Sequence, residues 1–280
     1  MAKRILTNKN IAIRKCKHGY FMYYINDLFV GKSMDIYGEW TEDELQVLGN
    51  LIKPGQVVID VGAFIGTHSV YFGQKVYPGG IVYSFEPQRT IFNLLCTNVA
   101  INNILNIKCI NKAVGDENRT CIIPVLDPNV EQNFGGISTN SFKDGDFVET
   151  MLIDDMPLEG CHLIKIDVEG REINVLNGAA KTIKKFKPVL YVECNKAEKS
   201  EDILKFLKKN KYKSYWHILN YYSKNNYFKN KKNIFKDYQP EANLLCFPID
   251  AKVTANGFIE TKGITDTWIK ALKRARINHS

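Results

Sequence analysis

The residues most able to do chemistry lie in the stretch VVIDVGAFIGTHSV, residues 57–70, where an apolar run meets Asp60, then Gly62 and Gly66, then residues that can continue as a helix. Ligands of open α/β sheets sit beyond the carboxyl ends of the strands, where the strand order reverses, so such a turn is the natural floor of a site. A dinucleotide fingerprint needs G-x-G-x-x-G, which lets backbone approach a pyrophosphate at a helix N-terminus. Here Asp60 takes the place of the first glycine. An acid there repels phosphate and favours a ligand that presents a positive group.

S-adenosylmethionine meets that requirement: its methionine amine and its sulfonium are cationic, and it has no phosphate. A second acid, Glu86, ends the next strand twenty-six residues later, where a carboxylate can take both ribose hydroxyls. On this reading Asp60 serves the methionine end, directly or through water; the alternative is a helix cap. Gly62, Ala63 and Gly66 line a close approach, or else a tight turn without ligand. Phe64 offers backbone N–H groups and a ring. Pro87 borders the adenine, and Asp116, in AVGD, reaches the adenine amine unless it is merely an exposed turn residue. His68, in the first turn of the helix, lies on the cofactor side or is structural. Glu39 and Trp40 fold over the cofactor or staple the start of a helix.

The elements that must position these residues alternate. Residues 20–30 read as one or two strands and residues 39–53 as a helix closed by Pro54-Gly55. Strands follow at 57–61, 81–86, 107–113, 163–167 and 189–193, with helices at 66–76, 89–102, 172–185 and 200–209. Near-continuous apolar strands with crossover helices predict a mostly parallel sheet covered on both faces. Residues 212–248 predict two further strands joined by an excursion, the last antiparallel. Residues 265–276 predict an amphipathic helix. The organisation expected is an N-terminal β/helical arm (1–53), an α/β domain (54–250) with insertions at 116–161 and 220–240, and a tail (251–280).

Longer motifs sharpen this. YGEWTEDE (37–44), PGQVVIDVGAFIGTHS (54–69), FEPQRTIFNLLCTNVAIN (85–102), NFGGIS (133–138), HLIKIDVEGREINVLNGA (162–179), PVLYVE (188–193), YWH (215–217), NYF (226–228) and NLLCFP (243–248) resemble the FkbM-type S-adenosylmethionine-dependent methyltransferases over roughly residues 35–248. The resemblance implies a Rossmann-like class I methyltransferase sheet and O-methylation of a sugar, a glycan or a natural product. Two positions depart from it: Phe64 stands where the family usually carries Asn, and Asn195 where it usually carries an acid.

Methyl transfer requires the acceptor oxygen in line with the sulfur, and a hydroxyl benefits from a base. Glu169 is expected as that base or as an acceptor anchor, with Asp167 near the sulfonium; the alternative is a helix-start charge pair with Glu172. His217 is a further catalytic candidate. Trp216, His217, Tyr222, Asn226 and Tyr227 are expected to form an acceptor wall, or only a Tyr- and Asn-rich loop. Glu193 with Asp167 could ligate a divalent ion, but no His lies beside them in sequence, and a metal is not favoured.

Composition narrows the class. At 280 residues, 45% hydrophobic and 24% charged, the chain has the make-up of a soluble globular protein. It has no apolar run of membrane-spanning length and no secretory leader, so a cytoplasmic location is expected. Seven scattered cysteines with no CxxC suggest neither disulfides nor zinc. A formal charge of +8 admits nucleic acid as a partner, yet the lysines are spaced like solvated helix faces. Residues 167–170, Asp-Val-Glu-Gly, also lack the Pro-Pro turn of amino-methylating nucleic-acid enzymes. A non-catalytic cofactor-binding module and, last, a nicotinamide dehydrogenase are the remaining alternatives. A homo-oligomer is compatible with the sequence.

Overall fold

The computed structural model describes residues 4–137, 142–253 and 255–277. Ser138 of the NFGGIS segment lies outside them. The chain opens with a small antiparallel sheet of β1 (Leu6–Thr7), β2 (Ile11–Cys16) and β3 (Gly19–Tyr24). Helix α1 (Val30–Ile36) follows, then α2 (Glu42–Gly49). The strand expected over 20–30 therefore stops early. The reason is Asp27, which is buried, accepts the N–H of Gly31 at 2.6 Å, and starts a helix where β-branched residues suggested a strand.

The alternating core comes next: β4 (Val57–Val61), α3 (Thr67–Val76), β5 (Ile81–Phe85), α4 (Arg89–Ile101) and β6 (Ile107–Ile110). The insertion that follows builds a second small sheet from β7 (Ala113–Val114), β8 (Arg119–Ile123) and β9 (Asp146–Met151). The core resumes with β10 (Leu163–Ile166), α5 (Glu172–Asn177), α6 (Ala180–Phe186), β11 (Val189–Glu193) and α7 (Ser200–Lys209). It closes with β12 (Tyr212–Leu219), β13 (Glu241–Pro248), β14 (Ile259–Glu260) and α8 (Trp268–Ile277). The single helix expected over 172–185 is two helices: the Gly178 carbonyl accepts the Asp154 N–H at 2.9 Å, and the Asp154 carboxylate accepts the N–H groups of Lys181 and Thr182 at 2.9 and 2.7 Å, starting the second helix.

The main sheet runs β14-β12-β13-β11-β10-β4-β5-β6. Strands β11, β10, β4, β5 and β6 are parallel, and β13 enters antiparallel between β11 and β12. Sequence order reverses on either side of β4, which puts the crevice at the carboxyl ends of β4 and β10. Side chains of the buried strands alternate between two cores. Ile59, Val61, Ile164, Ile166 and Val192 face α5 to α8, whereas Val58, Leu163, Tyr191 and Leu245 face α2, α3 and α4. Each such aliphatic side chain, fully buried, contributes about 1.5–3 kcal/mol. Among the described residues no helix is long and apolar enough to cross a membrane.

Candidate active site

The floor of the crevice is the turn after β4. Gly62 and Ala63 donate their N–H groups to the carbonyl of Phe85 at 3.0 and 2.9 Å, which locks the turn to the end of β5. Gly62 has φ +79°, and a Cβ there would run into the carbonyl oxygen of Asp167, so only glycine lets β4 and β10 end side by side. Asp60 is fully buried; its Oδ2 accepts from Ser69 Oγ at 2.6 Å, while its Oδ1 has no hydrogen-bond partner among the described residues. Glu86 is buried just after β5. Its Oε2 accepts the N–H of Phe64 at 3.0 Å and its Oε1 that of Gln88 at 2.9 Å. Burial pushes this carboxyl up to about 7, against the pull of those two N–H groups.

Phe64 adopts φ +49°, the left-handed region in which a bulky side chain is strained and Asn is well tolerated. That gives the family's usual Asn a physical reason and makes Phe64 the costlier choice, offset by its packing with the N-terminal cluster around Met22 and Trp40. Phe64→Val, β-branched but still apolar, is expected to be less stable than Phe64→Asn by about 1–2 kcal/mol. Urea denaturation of both variants checks this, and a Val variant at least as stable as the Asn variant would show that packing, not backbone strain, governs the position.

Two lobes of one cleft open from this floor, sharing Gly62, Glu86, Gln88, Gly135, Asp167 and Glu169. The first continues along Phe85, Pro87, Val114, Asp116 and Val168. Asp116 accepts from Asn174 Nδ2 at 2.9 Å. The second is walled by Phe29, Trp40, Phe64 and Tyr221 on one side and by Lys165, Glu193, Asn195 and Glu241 on the other. His68 also lines it. Its Nε2 is 2.9 Å from Glu44 Oε1, and burial, with Lys165 nearby, pushes the imidazole down to about 3, so it stands neutral. Burial raises Glu44 to about 8, against the attraction of Lys165.

At the mouth of β10, Glu169 (φ +55°) and Gly170 (φ +98°) turn the chain sharply, and Lys196 Nζ donates to the Glu169 carbonyl at 2.9 Å. Asp167, Glu169 and Glu193 bring carboxylate oxygens within 4.8 Å of one another. The pair Asp167 and Glu193 thus has a third acid in Glu169, an oxygen donor set of the kind hard cations take. Burial, and after it the charge of Asp167, lifts Glu169 to about 7; the same causes raise Glu193.

Several expected site residues lie elsewhere. Glu39 lines neither lobe: its Oε2 accepts the Tyr227 N–H at 2.9 Å and faces Lys17 at 3.7 Å, tying the N-terminal arm to the 220–240 excursion. Trp216 points to the opposite face of the sheet, buried, with its indole N–H on Asp266 at 3.2 Å. His217 is buried beneath the cleft, bonded to Tyr191 Oη at 2.8 Å and packed on Phe258; burial pushes it down to about 4, and it lines neither lobe. Tyr222 packs on Tyr37 and donates to the Lys231 carbonyl. Asn226 is fully buried and braces its own loop through Ser223 and Asn230. Tyr227 is exposed on that loop. These three shape the excursion, and Tyr221, their neighbour, is the residue that enters the cleft. Lys165, Glu241 and Phe29 were also missed. Lys165 had a signal, a lysine inside the apolar strand LIKI, where a buried charge must be paired.

A reversing parallel sheet with an acid near the end of its first strand, and a second acid just after the neighbouring strand, defines the Rossmann-like class I methyltransferase fold. Residues 60–214 match the methyltransferase FkbM domain, and the chain belongs to that family. It is similar to methyltransferase sdnD of Sordaria araneosa, 27% identical in a 177-residue alignment that covers 51% of this chain and 67% of the relative. Among solved structures it is similar to methyltransferase FkbM from Methylobacillus flagellatus KT, with TM-score 0.45 and 18% identity, over 69% of this chain but only 44% of that one. A second is M. jannaschii TYW2 in complex with AdoMet, with TM-score 0.46 and 13% identity, over 88% of this chain and 90% of that one.

Proposed function

We propose that the protein transfers a methyl group from S-adenosylmethionine to a hydroxyl oxygen of a saccharide or a small natural product. The observation that carries this reading is the pair of buried acids at neighbouring strand ends, Asp60 with one oxygen that accepts no hydrogen bond and lies 3.8 Å from Lys165 Nζ, and Glu86 with each oxygen fixed by one backbone N–H. Asp60 disfavours a pyrophosphate and favours an ammonium group. Each Glu86 oxygen keeps a lone pair for a ribose hydroxyl. The bare backbone at Gly62 leaves space that a side chain would fill.

When bound, the cofactor supplies an electrophilic methyl group on a positively charged sulfur. Asp60 and Glu86 would hold its methionine and ribose ends, and Pro87 and Asp116 would border its base. Asp167, at the junction of the lobes, favours positive charge there. Glu169 is the residue we assign to take the hydroxyl proton: its side chain lines both lobes, and a carboxyl lifted to about 7 accepts and returns a proton near neutral pH. Much of the rate would come from holding the acceptor oxygen in line. The test is to incubate the protein with methyl-labelled S-adenosylmethionine and a set of saccharides, hydroxylated small molecules and RNA, then identify the labelled product by mass spectrometry. Label on a hydroxyl oxygen is expected. Label on RNA, or bound cofactor with no label transferred to any acceptor, would reject the reading.

A further inference from the structure

Trp40, from the link between α1 and α2, and Tyr221, just after β12, meet across a large sequence separation. Their rings lie 5.3 Å apart at 16°, stacked, and Phe29 meets Tyr221 edge-on at 5.5 Å. All three line the second lobe, and none is fully buried, so part of this aromatic surface faces the cleft. The opposite side of the same lobe presents Glu193 and Glu241, with Lys165 buried beside them and Asn195 already bonded to Glu193 and to the Ala242 N–H. An aromatic wall facing carboxyl groups is a specific combination: the wall offers an apolar face, and the carboxyls exchange hydrogen bonds with hydroxyls within a cluster of acids that disfavours a further negative charge.

We propose that Trp40 and Tyr221 form a stacking platform for a sugar ring of the acceptor, and that Glu193 and Glu241 take hydroxyl hydrogens on its far edge. The C–H face of a pyranose is apolar and its rim carries donors, so it satisfies both sides of the lobe at once. A phosphorylated or sulfated ring would bring its charge into the acid cluster where burial and the neighbouring carboxylates already raise Glu193 and Glu241. The platform therefore selects uncharged or amine-bearing saccharides, although the chain as a whole carries a formal charge of +8. This inference rests on the O-methyltransferase reading above and adds the residues that choose the acceptor.

The experiment uses the full chain with methyl-labelled S-adenosylmethionine, a set of neutral methyl glycosides and the corresponding sugar 6-phosphates. Acceptor binding to protein loaded with S-adenosylhomocysteine is measured in parallel by saturation-transfer NMR. Neutral glycosides are expected to bind and accept label. Trp40→Ala and Tyr221→Ala are expected to raise the acceptor KM by about tenfold each, with cofactor affinity by calorimetry unchanged, while Trp40→Phe and Tyr221→Phe keep most of the binding. The sugar phosphates are expected to bind at least about tenfold more weakly than their neutral parents. Calorimetric cofactor binding by each variant shows that it is folded. The inference is overturned if no neutral glycoside binds, if the phosphates bind as well as their parents, or if methyl transfer proceeds to a non-saccharide hydroxyl with the two alanine variants unaffected. That last outcome leaves the O-methyltransferase reading intact, whereas absence of cofactor binding by the wild-type chain removes both.

Discussion

Glu86→Gln is expected to weaken S-adenosylmethionine binding by about 100-fold, the loss of charge-assisted acceptance from two ribose hydroxyls together with an amide that can no longer accept both local N–H groups. The wild-type carboxyl carries its own pH signature. It lies at about 7 rather than its ordinary 4.5, because burial opposes the charge more than the Phe64 and Gln88 N–H groups support it. Ribose binding recruits the ionised form, so cofactor affinity should fall as pH drops below about 7, approaching tenfold per unit. The stability of the unliganded chain runs the other way. A carboxyl raised in the folded state holds a proton that the unfolded chain releases, so its contribution to stability is present below 4.5 and is lost as pH rises through about 7. Glu86→Gln removes the share of each trend that Glu86 carries, while Glu44, Glu169 and Glu241, raised in the same range, keep theirs in the stability profile. Calorimetric titration from pH 6 to 8, with urea denaturation of the unliganded protein over pH 4.5 to 8, checks them. A wild-type cofactor affinity that is flat across this range would take Glu86 out of the binding step.

The floor of the cleft was legible because its logic is local. Asp60, Gly62, Ala63, Phe64, Gly66, Glu86 and Pro87 lie within one strand, the turn after it and the next strand end, and a parallel sheet fixes how such segments meet. The second lobe was less legible because its residues meet only through long-range pairing. Glu241 reaches the cleft through the antiparallel entry of β13 beside β11, where Glu193 stands opposite Asn243. The side chains of β12 alternate, so in the YWH segment Trp216 faces α8 and His217 the opposite core, and neither lines the cleft. In the excursion, tyrosine and asparagine content marked the right loop but not the residue, since Tyr222 and Asn226 are spent on its internal hydrogen bonds and Tyr221 turns inward. The break at Gly178 was hidden for a similar reason: helical periodicity passes through it, and the bonds that end the first helix and start the second come from Asp154, distant in sequence.

Lys165→Met is expected to cost more stability than any of the other substitutions considered, because it removes the cation from a buried cluster of acids. Lys165 lies on β10 directly opposite Asp60 on β4 and Tyr191 on β11. Its Nζ is 3.2 Å from Asp167 Oδ2 and 3.8 Å from Asp60 Oδ1, and it is 3% exposed. Burial alone would push the ammonium down; Asp167, Asp60 and Glu44 together outweigh that and raise it, so the lysine is charged in the folded chain. Methionine fills a similar volume but leaves buried Asp60 without its counter-charge, and breaking a buried pair from one side typically costs about 3–5 kcal/mol. Removing an acid as well should return part of this. In a double-mutant cycle, Lys165→Met with Asp60→Asn should be less damaging than the sum of the two single changes by about 1–3 kcal/mol. Arginine should rescue poorly, since its planar fork does not fit a space shaped for an ammonium between two strand ends. Denaturant unfolding of the four proteins reads the cycle directly. If the single variant loses under about 1 kcal/mol, the acids do not depend on Lys165, and the negative potential that the cofactor is proposed to meet at Asp60 and Asp167 is set without it.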